Sequence, residues 1–231
     1  MKIVDLIEEK KQILSFSMAN NSLFVVLFIT LFLVPVIPSH LYRFTYSILF
    51  SGIIILATQL ISINWKMLFT YTIIAIVMVW VGDVMELRII TSLSKGINII
   101  LYIFIVVDLV RQVSKAKTVT PTVILESINA YLMIGLVFSI MIAFMMALNP
   151  GAFNFNTLDK NCLPTDTFYH EIIYYTFITL TTVGYGDVVP LTSVARSLSM
   201  MIAITGQLYI AVVIATLVGK YISHAAATKD N

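Results

Sequence analysis

Long apolar segments separated by short polar stretches dominate the chain. A helix needs about 20 mainly apolar residues to cross the hydrocarbon core of a bilayer. Six segments reach this length when flanking residues are included, and they lie at 22–37, 44–63, 67–81, 89–110, 122–148 and 193–222. A further apolar segment at 168–180 is too short to cross and must enter the membrane and return. The pattern predicts an all-α integral membrane protein with six transmembrane helices and one re-entrant helix.

The composition supports a membrane protein. Of the 231 residues, 59% are hydrophobic and only 11% are charged, whereas a soluble domain averages about 25% charged residues. The net charge of +2 is too small to indicate nucleic-acid binding. The single cysteine, Cys162, excludes a disulfide framework within the chain. This cysteine is either a free thiol or a bridge to another subunit.

A stretch of unusual composition follows the short segment. Residues 181–187 read TTVGYGD, in which two glycines alternate with bulky residues. Glycine adopts backbone angles that other residues cannot, so such a backbone can turn a row of carbonyl oxygens toward one axis. The stretch resembles the selectivity filter of potassium channels at every position, and the similarity to the potassium-channel pore extends over about 122–222.

The resemblance implies a homotetramer in which rings of oxygens replace the water shell of a potassium ion. Backbone carbonyls would then face the axis, the Thr182 hydroxyl would add the innermost ring, and Gly186 would close the outer mouth. Potassium is the permeant ion, and no bound cofactor is expected. The predicted ion ligands are Thr182, Val183, Gly184, Tyr185 and Gly186.

Four residues around the filter are predicted to support it, and they are Thr181, Asp187, Tyr175 and Ile178. Tyr175 stands where many potassium channels carry a tryptophan that bonds the filter tyrosine. Ile178 stands where some of them carry an acid that bonds the residue matching Asp187, and this bond cannot form here. The resemblance therefore predicts an altered set of contacts behind the filter.

The chain is predicted to divide into four parts. An interfacial helix at 1–20 lies on the inner leaflet, a four-helix domain occupies 21–117, the pore domain occupies 118–222, and a short cytoplasmic tail follows at 223–231. Most of the 14 lysine and arginine residues fall on the side of the N-terminus, and these residues favour the cytoplasmic side. We therefore expect a multi-pass protein of the cell membrane with both termini in the cytoplasm.

The fourth apolar segment lacks the charges of a voltage sensor. A six-helix subunit with a pore loop resembles the voltage-gated channels, whose fourth helix carries arginine or lysine at every third position. Each such charge contributes about 2.3 kcal/mol per 100 mV. Here Lys95 is followed by no cation until Arg111. The first four helices are therefore predicted to form a scaffold, or a sensor of lipid, ligand or tension, and the source of gating is an unidentified ligand or partner.

Three residues of the last segment are gating candidates. Gly206 stands where related inner helices often carry a hinge, and a close contact between helices explains a glycine there equally well. Ala215 and Val218 lie nearer the inner end and are predicted to line an inner constriction.

The sequence thus predicts a potassium-selective channel that conducts passively and is not an enzyme. It contains no phosphate-binding loop, and its three histidines are far apart. Membrane lipid surrounds the helices, and no nucleic-acid partner is expected. Two alternatives stay open: a weakly selective cation channel, and a regulatory subunit of another channel.

Overall fold

The structure is a computed structural model that describes residues 16–37, 42–61, 65–84, 88–116, 118–155 and 168–229. Most of the predicted interfacial helix at 1–20, the loop that contains Cys162, and the last two residues of the predicted tail lie outside this part of the chain. Two compact units are present. The first comprises the described residues of Met1–Ile29 and Ser47–Ala130, and the second those of Thr30–Tyr46 and Tyr131–Asn231.

The described elements follow the apolar segments closely. In chain order they are α1 (16–28), a π-helical turn (Ile29–Leu33), a 3-10 turn (Val34–Val36), α2 (Tyr42–Gln59), α3 (Trp65–Val84), α4 (Arg88–Lys115), α5 (Pro121–Leu148), β1 (Phe153–Phe155), α6 (Phe168–Leu180), β2 (Val188–Pro190) and α7 (Ser193–Lys229). The last helix continues beyond the predicted end at residue 222. The predicted division into domains at 118 and 223 stays a prediction.

Local chemistry explains several helix ends. Pro35 has no N–H to donate and its ring collides with the carbonyl four residues earlier, so α1 gives way to the π-helical turn and then to the 3-10 turn that contains the proline. At α5, Pro121 occupies the first turn, where a missing N–H costs little. The preceding Thr120 accepts a hydrogen bond at Oγ1 from the Val123 N–H at 3.3 Å, which caps the helix.

Among the described residues, four helices are long and apolar enough to cross a membrane, and these spans are Phe16–Leu33, Gly96–Lys115, Pro121–Leu148 and Ser193–Lys220. Two further apolar helices, Thr45–Gln59 and Leu68–Met78, are shorter. The apolar helices thus support a membrane protein, and four of the six predicted crossings have the length and apolar character that a crossing requires. Helix α6 has 13 residues and is too short to cross.

The first unit has an apolar core with a few hydrogen bonds between helices. Its fully buried side chains include Leu23, Leu27, Ile53, Ile105 and Leu109. Tyr102 on α4 donates its hydroxyl hydrogen to the carbonyl of Phe50 on α2 at 2.9 Å. Gln112 Nε2, also on α4, donates to the carbonyl of Leu60 at 2.9 Å. These bonds satisfy polar groups that would otherwise be costly in an apolar interior.

A polar cluster between α1 and α5 in the first unit was not predicted. Asn129 Nδ2 donates to Asn20 Oδ1 at 2.7 Å and to the Asn20 carbonyl at 3.0 Å. Asn20 Nδ2 donates in turn to the carbonyl of Thr122 at 3.1 Å. Asp108 and Glu126 are also buried, whereas Arg111 and Lys115, the two cations of α4 whose side chains are described, are exposed. Among the described side chains of the first unit, the buried residues of charged type are therefore acidic.

The second unit packs α6 and α7 together with the later part of α5. Its fully buried apolar side chains include Met133, Leu136, Ile142, Leu180 and Ile202. The rings of Tyr131 on α5 and Tyr209 on α7 lie with their centroids 5.5 Å apart. This core surrounds the short helix α6, which leads directly into residues 181–187.

A small antiparallel ribbon distinguishes the second unit from a purely α-helical fold. Strand β1, which precedes the outer loop, pairs with β2, which follows the predicted filter. Phe155 lies opposite Val188 and Phe153 opposite Pro190, and both phenylalanines are buried. The all-α prediction is therefore incomplete, because it did not include the two short strands of this ribbon.

Candidate functional site

The last turn of α6 positions the predicted filter. Carbonyls at the C-terminal end of a helix lack intrahelical partners, and here they accept hydrogen bonds from the amides that follow. Thr182 N–H donates to the carbonyl of Thr179 at 3.0 Å, and Val183 and Gly184 donate to the carbonyl of Ile178 at 2.9 and 3.3 Å. The filter amides thus point back toward α6, and Ile178 supports the filter through its backbone.

Alternate residues of the filter have positive φ. The values are 61° at Thr182, 52° at Gly184 and 80° at Gly186, and Thr182 is the only non-glycine residue with positive φ in the described part of the chain. A backbone that alternates in handedness places successive N–H groups on one side, which turns the carbonyl oxygens to the other side. Because the amides face α6, the oxygens form a row directed away from it. The predicted ion ligands require this arrangement.

Tyr174 makes the bond to Asp187 that the side chain of Ile178 cannot make. It lies four residues before Ile178, on the same face of α6. Its hydroxyl donates to Asp187 Oδ2 at 2.6 Å, and the Val188 N–H donates to Asp187 Oδ1 at 3.0 Å. The bond from Tyr174 is the main cause of a lowered pKa of Asp187, and it raises the pKa of Tyr174 to about 12. Sequence reasoning missed Tyr174, although its helical spacing from Ile178 was a usable signal.

Tyr175 connects α6 to α7. Its hydroxyl oxygen lies 2.6 Å from Ser199 Oγ, and both residues are buried. The single hydroxyl hydrogen of Ser199 is directed to the carbonyl of Ala195 at 2.8 Å, so Tyr175 is the donor in the first bond. The Phe153 ring packs edge-on against the Tyr175 ring with centroids 5.3 Å apart. The ribbon therefore supports α6 from behind the filter.

The C-terminal end of the filter continues into the ribbon and then into α7. Leu191 N–H donates to the carbonyl of Ala152 at 2.9 Å, which extends the pairing of β1 and β2. Thr192 Oγ1 accepts a hydrogen bond from the Ala195 N–H at 3.2 Å and caps α7. The filter is thus held at its N-terminal end by α6 and at its C-terminal end by the ribbon.

Gly206 brings α7 against the C-terminal end of α6, directly before the filter. A Cβ at this position would overlap the carbonyl oxygen of Leu180, so a glycine is needed for the close approach of the two helices. Packing therefore accounts for Gly206, while its role as a hinge stays a prediction. The next residue, Gln207, donates from Nε2 to Thr182 Oγ1 at 3.2 Å. Sequence reasoning did not assign Gln207.

The other gating candidates, Ala215 and Val218, lie about two and a half and about three turns beyond Gly206 on α7. Both are exposed in the single chain. Their part in an inner constriction therefore depends on assembly with other copies and stays a prediction.

Comparison with known proteins supports a channel domain in the second unit. The model of a family described as an ion channel matches residues 131–223. This match contains α6, the filter, β2 and most of α7, but it covers less than half of the chain. No curated protein and no solved structure matches the chain. Together with the apolar helices, the match indicates a membrane protein with an ion-channel domain.

Replacing Tyr174 by phenylalanine removes the hydroxyl that lowers the pKa of Asp187. The stabilisation from this bond is present above the ordinary Asp187 pKa of 3.8 and is lost as the pH falls through the lowered value. It is also lost as the pH rises through the Tyr174 pKa of about 12. We expect Tyr174→Phe to raise the Asp187 pKa, measured by NMR titration of its carboxyl carbon.

Tyr175→Phe is the matched control, because it removes a neighbouring hydroxyl that contacts Ser199 instead of Asp187. The same Asp187 pKa in the wild type and in Tyr174→Phe would contradict the assigned contact.

Replacing Gly206 by alanine forces α7 away from the end of α6. Overpacking of this kind costs about 1–3 kcal/mol, so we expect a lower melting temperature of the protein in detergent. Gly219→Ala on the same helix is the control, because nothing lies within 4 Å of a Cβ there. That control should melt at or above the wild-type temperature, since alanine favours a helix. Equal melting temperatures for the two variants would refute the close contact.

Proposed function

We propose that this chain is the subunit of a potassium-selective channel in which four copies surround one pore and potassium crosses passively. The filter backbone carries the proposal. Its amides from Thr182 to Gly184 are bonded to the last turn of α6, and its φ values are positive at every second residue. The carbonyl oxygens from Thr182 to Gly186 then form one row, and rings of such oxygens replace the hydration shell of potassium.

The exposure of this row supports a homotetramer. One chain offers oxygens on a single side, whereas a dehydrated cation needs them all around. Residues 181–186 are exposed, and irregular backbone at membrane depth must be buried in protein or face a water-filled cavity. Helix α7 also exposes large apolar side chains, among them Met200, Met201, Ile204 and Leu208. Four copies around an axis would cover these faces and enclose the ion.

The electrostatics of α6 favour a cation at the inner end of the filter. The C-terminal end of a helix carries a partial negative charge, and α6 ends at Leu180, directly before the filter. The Thr182 hydroxyl adds a further oxygen at this end. Thr181 and Asp187 flank the ligands, and Tyr175 and the Ile178 carbonyl support them from behind.

The proposed subunit has six crossings of the cell membrane and both termini in the cytoplasm. The lysine and arginine distribution supports the orientation. Helices α2 and α3, whose apolar parts are shorter, complete the six crossings. We propose that the chain has no enzymatic activity and binds no cofactor. We also propose that an unidentified ligand or partner controls gating.

A weakly selective cation channel is the alternative that a specific observation favours. Ile178 stands at the position where some potassium channels carry an acid behind the filter. The bond to Asp187 comes instead from Tyr174, one turn before Ile178 on α6. A filter supported by different contacts can widen and admit sodium. A regulatory subunit would give a third outcome, since the purified chain would then carry no current of its own.

Reversal potentials of the purified chain in planar bilayers test the proposal. We expect reversal close to the potassium equilibrium potential when potassium and sodium are opposed. Gly184→Ala should abolish this selectivity, because Gly184 has a φ of 52° and left-handed backbone costs other residues about 1–2 kcal/mol each. Gly52→Ala is the control, because Gly52 lies outside the filter and a Cβ there would meet nothing within 4 Å.

The outcomes separate the alternatives. Currents that do not distinguish potassium from sodium would favour the weakly selective channel, and the absence of current would favour the regulatory subunit. Intact selectivity in Gly184→Ala would refute the filter assignment.

We also expect a shallow dependence of the current on voltage. The buried side chains of α4 between residues 96 and 115 are uncharged except for Asp108, so this part of the helix offers no buried cation for the field to move. Conductance measured against voltage in the same bilayers checks this. A steep dependence, equal to several elementary charges per subunit, would contradict it.

A further inference from the structure

Gln207 is a polar residue in a largely apolar stretch of α7, and its side chain contacts the filter. Its Nε2 donates a hydrogen bond to Thr182 Oγ1 at 3.2 Å. The neighbouring Gly206 packs on the carbonyl of Leu180, which brings α7 close enough for this bond. The hydroxyl that Gln207 contacts belongs to the innermost oxygen ring of the proposed filter.

The orientation of the Thr182 hydroxyl decides how well it can bind a cation. A threonine hydroxyl has one hydrogen and two acceptor lone pairs. The Gln207 N–H occupies one lone pair and leaves the other for an ion. Without this bond the hydroxyl is free to rotate among its staggered rotamers, and its oxygen would face the pore for only part of the time.

We propose that Gln207 is a positioning residue that sets the cation affinity of the innermost potassium site through the Thr182 hydroxyl. This inference rests on the proposed function, because it requires four copies of Thr182 around one axis. A neutral amide orients the oxygen without adding a charge that would retain the ion, and conduction requires that binding stay weak enough for release. A glutamate at this position would not have this property.

A purely structural role for Gln207 makes a different prediction. If the side chain only connected α7 to the end of α6, its loss would lower the melting temperature and leave ion affinities unchanged. A positioning role instead changes the affinity of one ion site.

Block of the potassium current by barium measures that affinity. Ba²⁺ is close to K⁺ in size and carries twice the charge, so it responds strongly to the orientation of oxygen ligands. We expect Gln207→Leu to weaken the block about tenfold, which corresponds to the loss of modest hydrogen bonds around the ring. If the leucine variant does not assemble, Gln207→Met takes its place, because methionine keeps the length of the side chain but has no hydrogen-bond donor. We expect the same weakening of the block. Unchanged or tighter block in the variant that assembles would overturn the inference.

The double variant Gln207→Leu/Ala211→Gln is the matched control. Residue 211 lies one turn further along the same face of α7, so the amide stays on that face but moves away from Thr182. We expect the double variant to be blocked as weakly as Gln207→Leu. Recovery of wild-type block would assign the effect to the general polarity of the cavity and would overturn the proposed role of the bond.

The reversal potential of the wild type separates this inference from the proposed function. A wild-type current without potassium selectivity would refute the proposed function whatever the barium results. A potassium-selective wild type whose barium block does not change in the Gln207 variants would refute only the role of Gln207. Melting temperatures of all variants, recorded in parallel, identify a merely structural effect.

Discussion

Hydrogen bonds from the filter amides to the last turn of α6 constrain the rest of the second unit. Once the carbonyls of Phe177, Ile178 and Thr179 accept the N–H groups of residues 181–184, the filter cannot continue as a helix. Its own oxygens are left on the opposite side, and residues 181–186 are exposed in the single chain. In the proposed channel this backbone lies at membrane depth, where its oxygens would need water or a cation as partners. This backbone is held in place by the C-terminal end of α6, by the ribbon and by the close approach of α7.

The backbone conformation of residues 181–187 could be anticipated from the sequence because its chemistry is local. The glycines at 184 and 186 correspond to two of the three positive φ values, and a run of 13 helical residues before them is visible as a short apolar segment. The contacts behind the filter were not predicted, because they join residues that are distant along the chain. Strands of three residues show no alternation that could be recognised, and Phe155 pairs with a residue beyond the filter, Val188.

In the first unit, too, composition could be predicted from the sequence but contacts between distant residues could not. The absence of cations on α4 between Lys95 and Arg111 could be read directly from the sequence, since charge is a property of composition. The contacts of Asn20 with Asn129 and with the Thr122 carbonyl were not predicted, although Thr122 and Asn129 are two turns apart and so share a face of α5. Isolated polar residues in an apolar segment do not reveal their partners. Only the fold shows that Asn129 meets Asn20 on another helix.

The contact between α7 and α6 also limits where α7 can bend. Gly206 packs on Leu180, and Gln207 is bonded to Thr182, so a bend at this point would separate both contacts and disturb the inner end of the filter. A Cβ at Gly219 would meet nothing within 4 Å, and a bend there would leave the filter contacts intact. Such a bend, however, lies beyond the candidate constriction at 215–218 and would not move it. A bend that opens the predicted constriction must therefore lie between Gly206 and Ala215, and only a bend close to Gly206 would change the contacts that hold Thr182.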